Sequence, residues 1–283
     1  MLIHARTGIH TRSATRAIGR AATLALYDEL ALSPKPGLVT LTDRGSHDDM
    51  DARTFMRSLL ALRGYFAHIA ELGGQGASFV ALERCGIDAE SRMRAATGGV
   101  NTHRGAIFTL GLLCAAAGAL AAEGRGVEPV GLRTALLDRW GDALVARARR
   151  TPTLPGGIAA QRHGLRGASA EAALGFPVLF ETAMPALRSG GTRVQAARLD
   201  ALFHVMAVLD DANLAHRGGI DGLRFAQRAA RAFLAGGGAA SPDGLARAQA
   251  IGRAFVARRL SPGGAADMLA AACWMQRVGA LGR

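Results

Sequence analysis

The chain has 283 residues, 49% apolar and 20% charged, a balance that excludes a disordered or collagen-like protein and leaves enough length to bury a large core. The formal net charge is +12, and Lys35 is the only lysine among 34 basic residues. Such a surplus of guanidinium groups favours polyanionic partners, whether nucleic acid, a membrane surface or phosphorylated small molecules.

Apolar spacing predicts an all-α fold: a single compact multi-helix domain over residues 1–283, with a flexible lead-in at 1–12. A helix over 13–32 carries Ile18, Ala22, Leu26 and Leu30 on one face. Asp51 is placed to cap a helix reaching Gly73, with Phe55, Leu59, Leu62, Phe66 and Ile69 as its stripe. Further helices are expected at 77–96, 104–122, 130–149, 166–188, 193–212, 219–235, 242–260 and 263–280. Pro177 should kink the 166–188 helix, because proline removes a ladder hydrogen bond. Residues 150–165 form the longest irregular stretch, and long loops in compact domains are commonly functional or mobile. No run alternates β-branched and polar residues, so no sheet is expected.

The segment Ala106 to Ala122, AIFTLGLLCAAAGALAA, has only Thr109 as a polar residue. It falls short of the roughly 20 residues that cross a bilayer and is rich in Ala and Gly. It reads as the central buried helix of a soluble domain. The N-terminal stretch shows no apolar signal region. Cys85, Cys114 and Cys273 lie far apart with no CxxC pair, which argues against a disulfide framework or structural zinc. A cytoplasmic protein is the expectation.

Four segments concentrate chemistry. The first is SPKPGLVTLTDRGSHDDMDARTF, residues 33–55. It packs Asp43, Asp48, Asp49 and Asp51 around Ser46 and His47, with Lys35 nearby, in a loop that Pro34, Pro36 and Gly37 keep out of helix. Crowded carboxylates suit a cation, and Mg²⁺ binds through one or two carboxylates plus substrate phosphates. The plainer reading makes Asp51 a helix cap and Asp48 a solvated charge. The second segment is GGVNTHRG, residues 98–105, which puts Asn101, His103 and Arg104 at the start of the apolar helix, where free N–H groups cradle anions. There Asn101 or Thr102 is alternatively only a cap. The third, RHGLRGASAEAALGFP at 162–177, offers His163, Arg166 and Glu171 against a background of solvated basic loop. In the fourth, LDDANLAHRGG at 209–219, Asp210, Asp211, Asn213 and Arg217 read as a helix C-terminus closed by two glycines. Paired aspartates are disfavoured by the dipole there, which points to a metal or a basic partner.

In this order, PKPGLVT, GSHDDMD, GVNTHRGAIF, HGLRGASAEAALGFP and DDANLAHRGG resemble the triphosphoribosyl-dephospho-coenzyme A synthases, over about residues 20–235. Two positions depart from the family pattern, Arg104 in place of Lys and Ala212 in place of Thr. The run NTHRGAIFTLGLLCAAAG is closer to the malonate decarboxylase branch than to the citrate lyase branch. The resemblance implies transfer of the triphosphoribosyl part of ATP to the 2′-hydroxyl of 3′-dephospho-CoA, with release of adenine. It also implies a product passed to a transferase that acts on an acyl carrier protein subunit. Under it, Asp49, Asp51 and Asp211 hold Mg²⁺ or face the ribose, and His47 or Asp43 acts as base or orients the hydroxyl. Lys35, Arg104 and Arg166 bind phosphates, while Asn101, His103 and Asn213 position sugar or base. Ser46, His163, Glu171 and Arg217 complete the expected substrate-binding set.

Two other readings compete: an all-α, Mg²⁺-dependent ADP-ribosyl-hydrolase-like enzyme, and a basic helical nucleic-acid binder. Dispersed basic residues without an interleaved aromatic platform argue against nucleic acid. No membrane partner is expected, and an oligomer is compatible with the composition.

Overall fold

The computed structural model describes residues 2–190 and 193–280, and among them every regular element is helical. α1 (Leu2–Ala31) leads through the 33–51 loop into α2 (Ala52–Leu62), α3 (Tyr65–Gly74) and α4 (Phe79–Ala96). α5 (Arg104–Ala122), α6 (Pro129–Ala148), α7 (Pro155–Arg162) and α8 (Ala168–Ala173) follow. A π-helical turn (Val178–Ala183) runs into α9 (Met184–Ser189), and α10 (Val194–Val208), α11 (Ala212–Ala235), α12 (Gly244–Ala257) and α13 (Gly263–Gly279) complete the chain.

α5 is the centre, as its composition predicts. It packs against α1, α3, α4, α6 and α13. From Ala106 to Leu120 every residue except Phe108 is buried. Leu110, Leu113 and Leu120 are fully enclosed, each contributing roughly 1.5–3 kcal/mol of apolar burial. The glycines set how near α3 comes. A Cβ on Gly118 would lie 1.9 Å from the Ala70 carbonyl oxygen, and one on Gly73 would lie 2.0 Å from that of Ala115. Tyr65 Oη donates to the Ile107 carbonyl at 2.9 Å across the same contact. The most apolar window of α5 is 78% buried within the protein, so its hydropathy belongs to the core.

Several helix boundaries differ from expectation for local reasons. α1 begins at Leu2, inside the stretch expected to be flexible. The predicted 51–73 helix is two helices, divided at Arg63–Gly64. Residues 150–165 are not wholly irregular: Pro155 occupies the first turn of α7, where its missing N–H removes no ladder bond. Pro177 does not kink a continuous helix. Gly175 (φ 70°) and Phe176 (φ 53°) have already ended α8, and Pro177 leads into the π turn.

The largest correction concerns Asp210 and Asp211. α10 ends at Val208, Leu209 is extended, and Asp211 is the N-cap of α11. The aspartates therefore meet the positive end of a helix dipole, not the negative end. Within α11, Gly219 (φ 63°, ψ −167°) is non-helical and divides the span into two helical pieces at a kink, so the break expected at the paired glycines is also present.

Candidate active site

Three helices, α5, α11 and α13, begin beside one another, and two aspartates tie their ends. Asp211 is buried. Its Oδ1 accepts the N–H groups of Asn213 (2.9 Å) and Leu214 (3.3 Å) at the start of α11. Its Oδ2 accepts the Ala265 N–H at 3.0 Å, and the Gly264 N–H also faces it, at the start of α13. Burial outweighs these donors and pushes the Asp211 carboxyl up to about 6. Asp267, on α13, reaches the start of α5 and accepts from the Ala106 N–H. A Cβ on Gly105 would lie 1.9 Å from Asp267 Oδ2, and one on Gly263 would lie 2.6 Å from Asn213 Nδ2, so a larger residue at either position would displace that side chain. The positive ends of these helix dipoles are thus met by carboxylates of the protein itself.

The 33–51 loop closes onto the same region. Gly37 (φ 67°) passes so near the 260 peptide that a Cβ would lie 2.1 Å from the Leu260 oxygen. Ser46 Oγ donates to that oxygen at 2.6 Å. The half-buried His47 places Nε2 2.9 Å from Ser261 Oγ and Nδ1 3.6 Å from Asp49. Burial, with the nearby Arg217 guanidinium, holds the His47 pKa below its ordinary value, and Asp49 opposes that. The ring is thus neutral at neutral pH. Arg217 donates to the carbonyls of Arg259 (2.6 Å) and Ser46 (2.5 Å), which joins α11 to both loops.

Some expected ligands have other duties. Lys35 is buried and not open to phosphate: its ammonium lies 2.5 Å from Glu29 Oε1 and 2.6 Å from the Glu29 carbonyl. Asp43 is exposed and shapes its own loop, accepting the Gly45 N–H at 2.9 Å. Asp51 caps α2 through the Thr54 N–H (2.9 Å) and hydroxyl (3.0 Å). Asp48 and Asp49 are exposed.

At the start of α5, Asn101 Oδ1 caps the Arg104 N–H at 3.2 Å. Thr102 donates to Ser58 Oγ (2.7 Å), and Ser58 lies 2.6 Å from His103 Nδ1. With the Thr102 hydrogen on Ser58, the Ser58 hydrogen goes to Nδ1, and the neutral His103 ring carries its proton on Nε2. That Nε2 is buried without a protein partner. Burial and the Lys35 charge lower the His103 pKa to about 3. Arg104 pairs with Glu90, its Nε donating at 2.8 Å.

His163 is the half-buried C-cap of α7. The exposed Arg166 pairs with the buried Glu171 at 2.8 Å, and its N–H donates to Asp210 at 3.0 Å. Glu171 accepts the Val178 N–H at 2.7 Å, and burial raises its pKa. The third and fourth segments therefore touch at Arg166–Asp210. The first and fourth touch through Arg217. The second meets the fourth through Asp267, whose charge neighbours are Asp211 and Glu29. Reading the sequence missed Glu29, Ser58, Asp267 and Ser261. Each is an ordinary polar residue in its own segment and gains its role only through packing.

The expected metal set fares differently. Among the described residues no group of three His, Cys, Asp or Glu side chains is arranged to hold a metal ion. Asp51 Oδ1 caps α2 while its Oδ2 pairs with Arg44 at 3.4 Å, both Asp211 oxygens accept backbone N–H groups, and Asp49 faces His47.

The sequence profile of the ATP:dephospho-CoA triphosphoribosyl transferase family matches residues 15–283, and the chain belongs to that family. A 2-(5″-triphosphoribosyl)-3′-dephosphocoenzyme-A synthase of Klebsiella pneumoniae is 37% identical, over 95% of this chain and 97% of its own length. Probable synthases of the same name share 42% identity in Pseudomonas fluorescens strain Pf0-1, over 90% of this chain and 89% of theirs, and 37% in Acinetobacter calcoaceticus, over 91% and 89%. No solved structure matches the chain.

Proposed function

We propose that this enzyme transfers the triphosphoribosyl unit of ATP to the 2′-hydroxyl of 3′-dephospho-CoA and releases adenine. The observation that most supports this reading is the family match, which runs from residue 15 to 283 and spans all four chemical segments. Breaking the bond between C1 of the ribose and N9 of adenine builds positive charge on the ribose, which carboxylates stabilise. The attacking hydroxyl needs a base. His47 suits that role, neutral and held between Ser261 and Asp49. Arg104, Arg166 and Arg217 supply cations for the triphosphate. Mg²⁺ arrives with ATP, carried by phosphate oxygens and water rather than by a protein cage.

The product goes to a transferase that loads an acyl carrier protein subunit, that of malonate decarboxylase rather than citrate lyase. The run NTHRGAIFTLGLLCAAAG supports that branch. Incubation with MgATP, followed by chromatography of adenine, tests the reaction. Adenine should appear only when 3′-dephospho-CoA is present. Release with water as acceptor would favour the hydrolase reading instead.

A further inference from the structure

We propose that the small apolar cluster beside the start of α5 is an adenine site, in which His103 Nε2–H donates to a ring nitrogen and Ser58 is the residue that positions the His103 ring; the proposal deepens the transfer reaction proposed above and rests on it. The described residues hold two separate apolar clusters. The smaller joins Leu30 of α1 to Val39 and Met50 of the 33–51 loop, with Phe55 and Met56 of α2 and Val100 packed against them. All but Leu30 and Met56 come from the first two chemical segments. Phe55, Met56 and Val100 are only half-buried, so this cluster keeps apolar surface that the fold does not cover. His103 borders it: the Phe55 and His103 rings meet edge to face, with centroids 4.9 Å apart and planes at 72°.

The His103 ring is wired on one nitrogen and bare on the other. Ser58, fully buried three residues beyond Phe55 on α2, lies 2.6 Å from Nδ1. Thr102 donates to the same hydroxyl at 2.7 Å, so the Ser58 hydrogen goes to Nδ1 and the ring proton to Nε2. Among the described residues no carboxylate forms an ion pair with His103, unlike His47 and His68. Burial and the Lys35 charge keep the ring neutral. The side chain is buried, yet Nε2 has no partner in the protein. An unsatisfied buried donor is rare because it is costly. A histidine kept only for packing gains nothing from this arrangement, whereas a ligand that brings an acceptor completes it.

The surroundings select the ligand class. The donor is a neutral N–H and the neighbouring walls are hydrocarbon and aromatic, so a triphosphate would lose its hydration there without a charge to replace it. A purine offers apolar faces to Phe55, Met50 and Val100 and an in-plane lone pair to Nε2–H, the combination of apolar lining and few polar groups that small-molecule sites use. Both substrates of the proposed reaction carry adenine, the base that leaves ATP and the base that dephospho-CoA retains.

The test is equilibrium binding to the full chain by calorimetry, which needs no turnover. The probes are ATP, dephospho-CoA and analogues of each with adenine N1, N3 or N7 replaced by C–H. For wild type, one analogue of one substrate should bind about tenfold or more weakly than its parent, and the substrate that shows the loss identifies the adenine bound there. His103→Phe should bind that parent and analogue alike, both weakly. Ser58→Ala should reduce the discrimination. It should also move the His103 ring proton from Nε2 toward Nδ1 in ¹⁵N NMR, a readout that a packing role would leave unchanged, with the signal assigned by its absence in His103→Phe. Equal binding of every analogue by wild type would mean that Nε2 meets only a buried water, and would overturn the proposal. So would discrimination that survives in His103→Phe. An unchanged tautomer in Ser58→Ala would overturn the positioning role. If His103→Phe does not fold, Ser58→Ala carries the test, and full discrimination there would overturn the proposal. Adenine release by wild type without dephospho-CoA would defeat the transfer reading and leave the binding result standing.

Discussion

Replacing Asp211 with Asn tests whether this residue is a structural clamp or a ligand. In the native protein two oxygens accept backbone N–H groups from two helices, Asn213 and Leu214 on one side and Ala265 and Gly264 on the other. An amide offers one acceptor oxygen, and its NH₂ then faces the other pair, donor to donor. Leaving two buried N–H groups without an acceptor costs about 1–3 kcal/mol each, or roughly 2–6 kcal/mol together. A second effect opposes this. The folded-state pKa of Asp211 is raised, so the folded protein binds the proton more tightly than the unfolded chain does. Wild-type stability therefore falls as pH rises from the ordinary carboxylate value of 3.8 through about 6. That shift of about two units corresponds to roughly 3 kcal/mol. Asn carries no such dependence. Urea unfolding of both proteins at pH 4 and pH 7.5 should show wild-type stability falling by about 2–3 kcal/mol relative to the variant over that range. Unchanged stability at both pH values, with activity abolished, would refute the clamp and restore Asp211 as a metal or substrate ligand.

Other substitutions probe different links. Gly118→Leu should weaken the fold by about 1–3 kcal/mol or more, read by urea unfolding, because even its Cβ would meet the Ala70 carbonyl where α3 crosses α5. Glu29→Gln leaves the buried Lys35 ammonium without its carboxylate and should cost about 3–5 kcal/mol in the same measurement. Asp49→Asn removes the group that raises the His47 pKa, so the acidic limb of the pH–rate profile should move to lower pH with the fold intact. Asp48→Asn, at an exposed position, should shift that limb less.

The sequence made the core plain and the site partly so. α5 was legible because Ala106 to Ala122 holds almost nothing polar. Asp51 was legible as a cap because an apolar stripe starts directly after it. Asp211 was misplaced because no Gly or Pro interrupts the 205–215 stretch. Gly218 and Gly219 mark a real kink at Gly219, but the break that places Asp211 falls earlier, at Leu209. α7 was hidden by Gly156 and Gly157, which mask the start signal of Pro155. Asp267 and Glu29 give no local signal at all, since each is a single acid within a helix. Only the convergence of helix ends, made possible by Gly105 and Gly263, sets such residues against one another.

The most direct test of the transfer reaction follows the phosphates. Wild-type enzyme is given 3′-dephospho-CoA and ATP labelled in the γ-phosphate, and the products are separated and weighed by mass spectrometry. The label should appear in one new species with the mass of dephospho-CoA plus a triphosphoribosyl unit, matched mole for mole by free adenine. Label in pyrophosphate or inorganic phosphate, or adenine formed without the new species, would contradict transfer of the intact triphosphoribosyl group.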